Sequence, residues 1–169
     1  MRKILPIFFL IAGLLLVVGA GAYLWHLALP IPKADTSTPP EQVAGVKRMQ
    51  LLTGPEAIAS INQLHGKDFP LTGGQVAVYG ENSLTLWVSE TADEAAAKAL
   101  TNQMAATIAQ GNSPFTDEGE LAVGGFSIHA LSGLGQVHYY WQSRNLVVWV
   151  AADEALASQS LHELMTFYK

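Results

Sequence analysis

Two stretches of the chain read almost alike: GQVAVYGENSLTLWV at residues 74–88 and GQVHYYWQSRNLVVWV at residues 135–150. A chain that writes one unit twice is confined to folds that can place two copies side by side. Within each copy the hydrophobic period is two, the mark of a strand, broken by a short polar stretch that can turn. Residues 75–79 and 84–89 form one predicted strand pair around GENS, and residues 136–142 and 146–151 form the other around SRN. A further strand is predicted over 126–131, joined to the next by SGLG, and residues 112–125 cross from one half to the other.

Each hairpin is followed by a helical pattern. In the first copy Thr91-Ala92-Asp93-Glu94 leads into Ala96, Leu100, Met104 and Ile108 on one face, with Gly111 beyond. In the second, residues 153–168 carry Leu156, Leu161, Leu164, Met165 and Tyr168. Another helix precedes both copies: Thr53-Gly54-Pro55-Glu56 has capping-box spacing, followed by Ile58, Ile61 and Leu64. The repeat is therefore strand, strand, helix, over residues 66–111 and 124–169. The expected fold is α+β: a single duplicated domain at residues 53–169, with an antiparallel sheet of five to six strands and helices on one face.

Side chains alternate across a strand, so the recurring residues can be assigned to faces. Val and Leu positions supply a core in either copy. Gln75, Tyr79 and Trp87, matched by Gln136, Tyr140 and Trp149, are placed on the face away from the helices. Amphipathic aromatics on an open sheet face suit binding, and these six residues are the candidate binding surface. A hairpin centred on Gly133-Leu134 would set His129 opposite His138, close enough for both imidazoles to reach one metal ion or haem iron. Without a nearby carboxylate or thiolate the pair reads first as a plain cross-strand contact, so the expected cofactor is none, with metal or haem at His129 and His138 as the alternative.

Residues 1–29 constrain location. Between Ile4 and Leu29 there is no Asp, Glu, Lys or Arg. Residues 7–29 would make about 35 Å of helix, enough to cross a hydrocarbon core of about 30 Å. Arg2 and Lys3 precede the run, which places the N-terminus in the cytoplasm and the domain outside. Ala20-Gly21-Ala22 resembles a leader-peptide cleavage site, but the apolar run continues through Leu29, favouring an uncleaved single-pass anchor. Residues 30–52 then read as an extracytoplasmic linker, PIPKADTSTPP followed by a short helix-like segment.

The chain has no cysteine, so the exported domain is held by its core alone. From Glu41 onward thirteen acidic and six basic residues give a net charge of −7, which argues against nucleic acid and anionic lipid headgroups. There is no G-x-S-x-G, H-E-x-x-H or phosphate-binding glycine loop, and no Ser or Thr has an identifiable base. The expectation is a membrane-anchored binding or assembly module without catalytic activity. Its partner would be another protein or a second copy, met through the aromatic face or a strand edge. A metal- or haem-binding domain, possibly a cell-envelope enzyme, is the competing class.

Overall fold

The computed structural model describes residues 38–65, 68–111 and 113–169. The anchor and most of the Pro-rich linker predicted from sequence lie outside these residues. Among the described residues no helix is long and apolar enough to cross a membrane.

Eight strands form one antiparallel sheet. They are β1 (Gln42–Val43), β2 (Val46–Thr53), β3 (Gly73–Tyr79), β4 (Leu84–Glu90), β5 (Thr116–Val123), β6 (Phe126–Gly133), β7 (Gln136–Ser143) and β8 (Leu146–Ala152). Three helices accompany them: α1 (Gly54–His65), α2 (Glu94–Ala109) and α3 (Glu154–Phe167). The order across the sheet is β1-β2-β3-β4-β8-β7-β6-β5. Both sequence copies therefore meet at the centre, where β4 pairs with β8. The α+β class stands, but with more strands than the five to six expected. Residues 42–52, read from sequence as linker and helix-like segment, instead supply β1, the turn after it and nearly all of β2.

The β4–β8 register aligns Trp87 with Trp149, Leu84 with Ala152 and Glu90 with Leu146. Each tryptophan thus faces its own repeat mate, and a local two-fold axis passes between them. The symmetry extends to the strand ends: Thr91 N–H donates to Asn145 O at 2.9 Å, and Asp153 N–H to Ser83 O at 2.9 Å. Beyond these contacts it breaks. Asp153 is itself the N-cap of α3, whereas α2 is capped by Asp93, two residues after Thr91. The extra two residues let the chain turn to the other side of the sheet.

As a result the helices lie on both faces, not one. On the first, Leu161, Leu164 and Met165 of α3 pack with Ala77, Tyr79, Leu86, Trp141, Val148 and Val150. On the second, Leu100, Met104 and Ile108 of α2 pack with Leu131, Tyr140 and Val147, while Ala57 and Ile61 of α1 pack with Val76. At Gly74 a Cβ would come within 3.3 Å of Ile58 and Ile61, so the missing side chain lets α1 lie close to β3. Burying both faces suits a chain that must stabilise itself without disulfides.

Candidate functional site

A cavity of about 480 Å³ lies on the second face, between α1 and α2 and above the centre of the sheet. Its floor is Trp87 and Trp149 with Val147 and Ala151. Ile61 and Leu64 of α1 form one wall. Leu100, Gln103, Met104, Thr107 and Ile108 form the other, the i, i+3, i+4, i+7, i+8 face of α2. That face alone extends about 12 Å along the helix. Phe69, Phe115 and Leu134 complete the mouth. No Asp, Glu, Lys or Arg occurs among the described residues lining it.

The floor is held by a run of rings across three strands. His129 on β6 stacks on Tyr140 of β7 at 4.4 Å, and Tyr140 stacks on Trp149 of β8 at 5.0 Å. Trp149 Nε1–H donates to His138 Nδ1 at 3.2 Å. The other His138 nitrogen, Nε2, lies 3.0 Å from Gly133 O and donates to it, which makes this the neutral Nε2–H tautomer. Burial pushes the His138 pKa below the ordinary imidazole value, partly opposed by the bond to Gly133 O. Phe115 packs against both His138 and Trp149, at 4.6 and 5.3 Å between ring centres. The indole is thus fixed in orientation by a hydrogen bond and by rings on two sides.

The six residues selected from sequence are divided by the structure. Trp87, Trp149, Tyr140 and Gln136 lie on the α1/α2 face, and the first two with Gln136 line the cavity. Gln75 and Tyr79 do not belong there. The turn at residues 80–83 pairs Tyr79 with Leu84, so both face α3, and Gln75 pairs with Val88 on that same side. Tyr79 is fully buried; its hydroxyl donates to Pro40 O at 2.9 Å, and burial pushes its pKa up to about 12. Tyr140 is also buried, its pKa raised by desolvation and by the nearby Asp117 and Glu120. Gln136 Nε2 donates to Asn82 O and to Asp153 Oδ1, tying the β6–β7 turn to the start of α3.

The histidines do not face each other. The β6–β7 turn is Leu134-Gly135, pairing Gly133 with Gln136, so His129 opposes Tyr140 and His138 opposes Leu131. His129 Nδ1 sits 3.5 Å from Glu120 Oε1, and both nitrogens of His138 are engaged as described. Among the described residues no cluster of three or more His, Cys, Asp or Glu is arranged to hold a metal ion.

Sequence reasoning missed the walls. Ile61, Leu100, Met104 and Ile108 follow the helical period, which cannot distinguish a core from a cavity lining. The one available signal was Leu134, an apolar residue at the tip of a predicted turn. No family model, curated protein or solved structure matches the chain.

Proposed function

We propose that this protein is a membrane-anchored extracytoplasmic binding module, without catalytic machinery, that takes an uncharged apolar group into the cleft over Trp87 and Trp149. The carrying observation is the lining: about 480 Å³ bounded by aromatic and aliphatic side chains, with polar side-chain groups confined to Ser, Thr, Gln, His and the two indole N–H groups. This volume lies in the range of small-molecule sites, which are mostly apolar with a few placed polar groups. A charged ligand would lose its hydration with no counter-charge to meet it.

Residues 33–169 form a compact unit. That unit should bind the neutral dye N-phenyl-1-naphthylamine with enhanced dye emission. Trp149→Ala should weaken binding about tenfold, equivalent to about 1.4 kcal/mol of lost contact. Absence of binding, or binding indifferent to Trp149→Ala, would contradict the reading.

A second mode of association is favoured by one observation. Strand β5 ends the sheet, is exposed along its length, and presents Leu121 and Val123 at 42% and 41% exposure. A partner protein or second copy adding a strand there is the β-augmentation mode. Asp117, Glu118 and Glu120 on the same strand oppose indiscriminate pairing. Light scattering that gives a dimer in wild type and a monomer in Leu121→Lys would support it; a monomer throughout would remove it. Metal or haem binding at His129 and His138 has less support, because the register sets the rings out of opposition and His138 is saturated by Trp149 and Gly133.

A further inference from the structure

The Leu134 edge of the cleft and the point where the first described residues dock lie at the same end of the sheet. A line of paired residues crosses the sheet at one end: Tyr79 with Leu84, Leu84 with Ala152, and Ala152 with Val137. At this end the first described residues dock, with Pro40 O accepting from the Tyr79 hydroxyl and Arg48 reaching the Pro39 carbonyl. The turn carrying Leu134 projects from the same end of β7. Along the sheet the strands concerned are three spacings apart, about 15 Å, with the Pro40 contact on the α3 face and the Leu134 turn bordering the cleft on the other. Only residues 30–37 lie between the apolar run ending at Leu29 and Thr38, at most about 30 Å of extended chain.

The mouth has an apolar lip. Leu134 is 73% exposed and Leu64 is 58% exposed. Leu134 also holds a left-handed backbone with φ of 54°, a conformation that glycine or asparagine would adopt at less cost. Neither the turn nor the core accounts for a leucine here.

Building on the binding reading above, we infer that the cleft takes an acyl chain of a zwitterionic membrane lipid from the leaflet to which the domain is tethered. The uncharged walls accept a hydrocarbon chain, and the apolar lip lowers the cost of its passage from bilayer to cleft. The net charge of −7 from Glu41 onward disfavours anionic headgroups and selects zwitterionic ones.

The test uses the full chain carrying Trp25→Phe and Trp141→Phe, so that Trp87 and Trp149 are its only indoles. It is reconstituted into phosphatidylcholine vesicles with or without bromine atoms on the acyl chains, which quench indole emission on contact. The brominated vesicles should remove most of the emission. Thr107→Phe, an exposed position on the rim of the cleft, should restore it by filling the space while the protein keeps its circular dichroism spectrum. Unquenched emission would overturn the inference, whether another protein or the chain's own apolar segment fills the cleft. Quenching that persists in Thr107→Phe would also overturn it, by showing the domain merely resting on the bilayer. If naphthylamine binding to residues 33–169 survives either result, the cleft remains a binding site and only its lipid occupant is disproved.

Discussion

Leu134 shows how a single residue can be costly to the fold and useful at a site. Its left-handed backbone costs about 1 kcal/mol or more relative to glycine, and its exposed side chain recovers little by burial. Leu134→Gly should therefore raise the urea midpoint while weakening naphthylamine binding; a variant that loses stability would refute the assignment of strain. His138 illustrates the opposite case, a residue suited to the fold in one protonation state. Its folded pKa is lowered by burial, so below about pH 6.5 the unfolded chain takes up a proton that the folded ring resists. Its contribution is fully present above that pH and declines as pH falls toward the folded pKa, by at most about 1.4 kcal/mol per pH unit. Protonating Nδ1 would also break the bond from Trp149. Wild type should lose more stability than His138→Gln between pH 7.5 and 5.5, measured by urea unfolding. Equal losses would exclude His138 as the cause.

At the scale of elements, the two helix starts make a matched pair. Asp93 Oδ1 accepts from Ala96 N–H at 2.8 Å, whereas the Asp153 side chain makes no capping bond to α3 and serves Gln136 instead. Asp93→Ala should cost about 1 kcal/mol and Asp153→Ala clearly less, read from denaturant midpoints; the reverse order would contradict the capping geometry. The helices themselves were legible, because Ile61, Leu100, Met104, Leu161 and Leu164 follow the helical period and acidic residues mark the starts. The hairpin strands were legible for the same kind of reason. Register was less so. SGLG admits a turn at Gly133-Leu134 or at Leu134-Gly135, and the first, expected from the sequence, would set His129 and His138 two residues away from the partners they have in the structure. A shift of two preserves faces, so Tyr140 and the histidines still share one face while their contacts change, but that face lies under α2 and not away from the helices. The faces of β3 were inverted because Tyr79 was equated with Tyr140 by sequence. Their turns differ in length, and the residue lying across from Leu146 as Tyr79 lies across from Leu84 is Ser143. Residues 42–53 escaped notice because VAGVKRMQLL has neither a clean two-residue nor a clean helical period.

For the molecule as a whole, the two similar stretches pair through a local two-fold register that does not extend to a global symmetry. The sheet keeps a two-fold axis between Trp87 and Trp149, yet α2 and α3 leave it on opposite faces. This breakage makes the cleft. With α3 on the far side, α1 and α2 cover the two flanks of the second face and leave its centre roofless over the paired tryptophans. No pattern within either copy could reveal that space, since it depends on a two-residue difference in the link after β4. The most direct test is a two-dimensional NMR spectrum of residues 33–169 with labelled indole nitrogens, titrated with dodecane. The domain holds three such signals, from Trp87, Trp141 and Trp149. Trp87 and Trp149 should shift together while Trp141, fully buried on the α3 face, stays in place. Signals that all remain fixed, or a Trp141 shift as large as the others, would contradict a binding cleft at the centre of the sheet.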